Sequence, residues 1–115
     1  MNGVIKIMSK NKKLSVIILE HKIDSEGYKG VEIDFKKITD SLETFYEIIG
    51  CDYIDIITRK IGNDYYDFII DDEGLINGSL PTMLSNDRNE ILYGNIIICG
   101  VADEKGELTS LKSED

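Results

Sequence analysis

Asp71-Asp72-Glu73-Gly74 is the densest run of metal-capable oxygens in the chain. Carboxylates suit calcium or magnesium, but a calcium loop spaces its ligands across about twelve residues and adds backbone carbonyls, which this run does not. Asp and Gly together are what a β-turn requires. The stretch therefore reads as a solvated turn, with Asp71, Asp72 and Glu73 as an acidic contact surface and no metal bound. His21 is the only histidine. With no Cys or second His at ligand spacing it cannot seed a zinc site, and it reads as a strand end. No serine lies in a Gly-x-Ser-x-Gly elbow, so no activated nucleophile is legible. Gly94 and Gly100 fall within or at the end of an apolar run. They make no phosphate-cradling loop before a helix, and a bulge or a close backbone approach explains them. These readings predict no cofactor, no metal and no enzymatic activity.

Tyrosine joins an apolar ring to a polar tip, so Tyr53, Tyr65, Tyr66 and Tyr93 could line a pocket or stack a base. Half-buried sheet positions are the ordinary explanation of such residues. Tyr65, Tyr66 and Asn77 are the residues expected to hold a small ligand if one is bound. A single-strand nucleic-acid platform would also need a basic track. The net charge is −9 and unevenly spread: through Lys22 five lysines oppose Glu20, which leaves −13 for the remainder. An acidic body disfavours nucleic-acid phosphates and anionic lipid, and favours a basic partner or plain solubility.

These side chains must be held by 115 residues, enough for one domain with its own core. Cys51 and Cys99 lie among apolar neighbours and read as reduced, buried thiols. The opening apolar run is short and broken by Lys6, so neither a signal peptide nor a membrane span is expected, and the protein reads as cytoplasmic.

Val4 to Met8 and Leu14 to Glu20 read as strands joined by the polar Ser9 to Lys13, an N-terminal hairpin. After the breaker Asp24-Ser25-Glu26-Gly27, Val31, Ile33 and Phe35 alternate with Glu32 and Asp34 as in a one-sided strand whose acids face water. A helix is predicted from Asp40, with Asp40 and Glu43 as a capping box, Leu42, Phe45, Tyr46 and Ile49 as its apolar stripe, and Gly50 as its left-handed terminus. Tyr53 to Thr58 and Tyr65 to Ile70 form an antiparallel pair across Gly62-Asn63-Asp64. Leu80 to Leu84 reads as a helical turn or irregular crossover, with Pro81 at a first helical position. Ile91 to Val101 is the most apolar run. Ile96 and Ile98 fall on one side of it and Ile97, Cys99 and Val101 on the other, as in a central strand covered on both faces. A turn at Glu104-Lys105-Gly106 and the anchors Leu108 and Leu111 precede a frayed acidic end. The sum is an α+β domain with one main helix packed on a mostly antiparallel sheet.

Several of these segments carry a resemblance. They are Ile48-Ile49-Gly50-Cys51, Tyr53-Ile54-Asp55, Ile69 to Leu75, Leu80-Pro81, Leu92 to Ile98 and Asp103 to Thr109. Together they are similar to a family of small uncharacterised domains found in phages, plasmids and conjugative elements of bacteria, from about Leu14 to the C-terminus. Where that family would carry Gly-Gly after the helix, this chain has Gly50-Cys51. The resemblance implies a mobile-element accessory protein and brings no catalytic residues. The function expected from all of this is non-enzymatic binding of a host or element-encoded protein through an acidic surface. The alternative is a small-ligand binder, such as a nucleotide sponge, with a pocket that two subunits could share.

Overall fold

The computed structural model describes residues 12–23, 25–27, 29–74, 81–85 and 90–111. In chain order these form β1 (Lys13–Ile23), β2 (Lys29–Thr39), α1 (Leu42–Ile49), β3 (Ile54–Ile61), β4 (Asp64–Asp71), β5 (Pro81–Ser85), β6 (Glu90–Tyr93) and β7 (Ile96–Cys99). Five strands make one sheet in the order β2-β1-β7-β4-β3, and β5 pairs with β6 alone. Every pairing is antiparallel. Among the described residues one helix packs on this sheet, so the fold is the α+β arrangement expected.

Because side chains alternate along a strand, each strand feeds two cores. On the helix side, Leu14, Val16, Ile18, Ile69, Ile97 and Cys99 meet Phe45 and Ile49 of α1, with Leu108 beside them. On the other side, Leu19, Phe68, Ile96 and Ile98 pack under Leu92 of the β5–β6 hairpin. All four residues of β7 are buried, as the central position between β1 and β4 requires. The two sides of β7 divide as its alternation predicts, although Val101 lies beyond the strand and is exposed. The apolar run from Ile91 is not one strand: Gly94, at φ 81°, breaks it into β6 and β7.

Several expectations are corrected. Val4 to Met8 lies outside the described residues, and the hairpin partner of β1 is β2, paired from Lys13↔Thr39 to Ile23↔Lys29. The opposite side of β1 is taken by β7 at Ile17 to Leu19 and by Leu111, whose N–H donates to the Ser15 carbonyl at 2.9 Å. The helix is capped by Ser41 and not by Asp40: Ser41 Oγ accepts from the Thr44 N–H, while the Asp40 N–H is spent on the Lys12 carbonyl. Gly50 does take the left-handed terminus, at φ 77°. Leu42 drops out of the apolar stripe at 57 % exposure, because α1 packs on β7 and β4 in mid-sheet while its first turn is tethered to the edge strand β2. Pro81 begins a strand, a position at which sheets tolerate proline, and the helical turn expected there is β5. Leu80 lies outside the described residues. The β3–β4 hairpin turns on Gly62 and Asn63, with Gly62 at φ 63° supplying the positive angle that tight hairpin turns need.

Candidate functional site

Beside β7 part of β4 is left without a strand partner, and the cause is local. β4 pairs with β7 only over Asp67 to Ile69, so Asp64, Tyr65 and Tyr66 outrun their neighbour. β7 stops at Cys99 because Gly100 swings away to bridge Thr109, its N–H donating to the Thr109 carbonyl at 2.9 Å. That approach is closed to any other residue: a Cβ on Gly100 would overlap Thr109 Oγ1 and come within 2.7 Å of the Ser110 carbonyl. The gap is a cleft of about 420 Å³ lined by Asp64, Tyr65, Tyr66, Val101, Ser110 and Leu111, among others. Its volume falls in the range of about 300–1,000 Å³ that small-molecule sites occupy.

Tyr66 and Leu111 also border a second, smaller hollow of about 130 Å³ with Ile17, Phe35, Ile61 and Ile98. This apolar trough lies on the sheet face opposite the helix, beyond the end of the β5–β6 hairpin. The hairpin covers only one part of that face. It is fastened by Arg59, whose Nε and Nη2 both donate to Glu90 Oε1 at 2.7 Å. It is fastened again at His21, 2.7 Å from Thr82 Oγ1. Thr82 Oγ1 in turn donates to the Gly94 carbonyl, which makes His21 Nε2 the donor in the His21–Thr82 bond. Asn95 completes the seam, accepting from the His21 N–H at 2.9 Å and donating to the Ile48 carbonyl at the end of α1 at 3.0 Å. His21 is thus a fastener near the end of β1.

The uncovered part of this face carries Val31, Ile33 and Phe35 of β2 at 41, 64 and 71 % exposure, and Ile61 of β3 at 43 %. The acids of β2 do face outward, as expected. The alternating apolar residues face outward as well, because no described residue of the chain covers them.

The wall of the cleft is set by a residue that sequence reasoning passed over. Asp67 is 3 % exposed, and both its oxygens are occupied. Oδ1 accepts from Thr58 Oγ1 at 2.6 Å and Oδ2 from the Ala102 N–H at 2.9 Å. A buried carboxylate needs such donors. Here the second donor holds the chain after Gly100 in its bend. The signal was present in Tyr65-Tyr66-Asp67-Phe68-Ile69, where an acid occupies a position whose alternation points into the core.

Of the residues expected to bind a ligand, Tyr65 and Tyr66 do line the cleft, and Asn77 lies outside the described residues. Asp71, Asp72 and Glu73 sit at the opposite end of β4. There Asp71 Oδ1 accepts from the Glu73 N–H at 2.9 Å and the Asp71 carbonyl accepts from Gly74 at 3.2 Å, the hydrogen bonding of a turn. Gly74 is buried against Tyr93. Among the described residues no three His, Cys, Asp or Glu side chains converge in a way that could hold a metal ion. Both cysteines are free thiols. Burial, helped by the nearby Asp67 and Asp40, pushes the Cys99 thiol up to about 12, and burial with the nearby Asp71 raises Cys51. Among the described residues no helix is long and apolar enough to cross a membrane.

Fold and site together define a small α+β domain with a half-covered sheet face that opens into a tyrosine-lined cleft. The chain belongs to the family described as domain of unknown function DUF3846, whose model matches residues 16–115. No curated protein matches the chain. No solved structure matches it either.

Proposed function

We propose that this domain is a non-enzymatic protein-binding module of the cytoplasm that receives its partner on the uncovered part of the sheet face. The observation that carries this reading is Phe35, 71 % exposed at the rim of an apolar trough, with Ile33 and Ile61 on the same face. Contiguous exposed apolar surface rimmed by polar groups is characteristic of interaction sites. The trough runs into the cleft at Tyr66 and Leu111, where Asp64 supplies a carboxylate. The complementary partner is a basic protein that places an aliphatic or aromatic side chain in the trough and a Lys or Arg toward Asp64. The net charge of −9 favours the same partner through long-range attraction. The resemblance to domains of phages, plasmids and conjugative elements supports an accessory role in such an element, with a host or element-encoded protein as target.

The test begins with tagged protein isolated gently from its own host and proceeds to binding with the purified partner. Phe35→Glu weakens binding by about tenfold or more, since central apolar anchors dominate interface energetics. Leu42→Glu, on the helix and already exposed, leaves it unchanged. Affinity also falls as salt rises through a few tenths molar, where screening shortens to several ångströms. Wild-type affinity in Phe35→Glu refutes the reading.

A second reading has one observation in its favour: Tyr65 and Tyr66 border a cleft of small-molecule size. A neutral aromatic wall can hold a nucleotide-like ligand despite the overall charge, because pocket complementarity is local. Native mass spectrometry of the same isolate decides between the two readings. A small added mass that is lost on denaturation and absent from Tyr66→Ala supports the ligand, and a stoichiometric protein supports the module.

A further inference from the structure

β2 is an edge strand of eleven residues, and among the described residues β1 is its one neighbour. An edge of this length offers a row of backbone donors and acceptors to another strand, and natural edges are blunted by charge, lysine above all. Lys36 and Lys37 serve that purpose here, yet the same strand carries Val31, Ile33 and Phe35 outward. Which strand can pair with this edge is decided by how its charges are met.

Two copies of β2 joined by a twofold axis perpendicular to the sheet pair antiparallel and keep equivalent faces on the same side, so the axis passes midway between the two copies of one residue, on which the register is centred. The registers can be compared directly. Centring on Glu32 places that acid against itself. Centring on Ile33 places Glu32 against Asp34 of the second copy, twice. Centring on Asp34 sets Glu32 opposite Lys36 twice but opposes two Asp34 carboxylates on the axis, and centring on Lys36 opposes two lysines there. Centring on Phe35 places Asp34 opposite Lys36 on both sides of the axis, Phe35 against Phe35, and Ile33 along the aliphatic stem of Lys37. Opposite charges and aromatic pairs directly across a ladder are favourable, and like charges are not. In the single chain Asp34 and Lys36 neighbour each other along one strand at 3.8 Å with both side chains substantially exposed, a weak contact easily exchanged for the one across the axis.

We infer that β2 pairs with the β2 of a second copy of this chain, centred on Phe35, with reciprocal Asp34–Lys36 contacts, to give a continuous ten-stranded sheet. Asp34 and Lys36 share the face of Ile38, on the helix side, whereas Phe35 at the axis also lines the trough; the pairing rests on the edge and its charges and not on the function proposed for the trough. In this register Lys36 meets an acid on both sides of the axis and no like charge stands on the axis itself.

Sedimentation of the full chain over a range of concentrations tests the pairing. A reversible monomer–dimer equilibrium is expected. Asp34→Lys and Lys36→Asp each raise the dissociation constant about tenfold, because every change is made twice across the axis. The double variant Asp34→Lys/Lys36→Asp restores it to within about threefold. Phe35→Cys in a Cys51→Ser background forms an intermolecular disulfide on mild oxidation, since directly opposed strand residues lie within bridging distance. A chain that stays monomeric to about 1 mM overturns the inference, whether the edge is then free or held by residues preceding β1. A dimer that the double variant fails to restore, or that forms no Phe35→Cys disulfide, overturns the register. Unchanged circular dichroism in each variant assigns the loss to association and not to folding.

Discussion

Thr58 Oγ1 donates a 2.6 Å hydrogen bond to Asp67 Oδ1 across the β3–β4 pair, in which the two residues are directly opposed. Thr58 lies toward the exposed edge of the sheet and Asp67 is buried, so the bond carries a carboxylate inward with one donor in hand and presents its second oxygen to Ala102. The wall of the cleft depends on this pair. Thr58→Val removes a donor from a buried charged acceptor and is expected to cost about 2 kcal/mol in urea unfolding. Asp67→Asn combined with Thr58→Val costs less than the sum of the two single changes, because both act on one bond. Additive losses would show that Asp67 draws its support elsewhere.

Gly100 is the second constraint on that wall. Gly100→Ala forces a methyl against Thr109 and Ser110, and overpacking at such a contact costs about 1–3 kcal/mol. Gly62→Ala strains a positive φ in open space, without a clash. Thermal melts of both should fall, but only Gly100→Ala should alter the chemical shifts of Tyr66 and Leu111 in the cleft.

The buried Cys99 thiol makes stability depend on alkaline pH. Its folded value is raised to about 12 from an ordinary 9.0, chiefly by desolvation. The folded chain therefore holds this proton more tightly than the unfolded chain does. The contribution is fully present below pH 9 and is lost as pH rises from there through about 12. Unfolding free energy should fall more steeply between pH 9 and 11 in the wild type than in Cys99→Ala, and equal slopes would contradict this assignment. At neutral pH Cys99 should also resist alkylation in the folded chain.

Arg59 and Glu90 fasten the β5–β6 hairpin over one part of the sheet face. Arg59 is largely buried and Glu90 is 40 % exposed, so the pair is screened on one side and is worth about 1 kcal/mol. Glu90→Gln should raise amide exchange in β5 and β6 by several-fold while β1 and β7 keep their protection. Uniform loss of protection would mean that the hairpin and the sheet open together.

Much of this fold was legible because period and punctuation agreed. The four-residue apolar core of β7, Gly62 in the hairpin and Gly50 at the helix end each state a physical requirement that few other residues meet. Ser41 was displaced by Asp40 as the expected cap because the draw of the Lys12 carbonyl on the Asp40 N–H is a contact distant in sequence. Pro81 reads equally as a first helical or a first strand residue, and its pairing with Tyr93 decides the matter. The candidate site was only partly legible, for a similar reason. Tyr65 and Tyr66 announce themselves, but the cleft beside them exists because β4 outruns β7, a fact of pairing. The alternation of Val31, Ile33 and Phe35 marks an apolar side without saying what covers it.

The most direct test of the uncovered face as the partner site is amide exchange on the complex isolated from the native host, compared with the free chain. New protection is expected in β1 around Ile17, in β2 around Phe35 and at the β3–β4 turn near Ile61, with α1 and the Asp71 to Gly74 turn unchanged. Protection confined to α1 or to that acidic turn would contradict it.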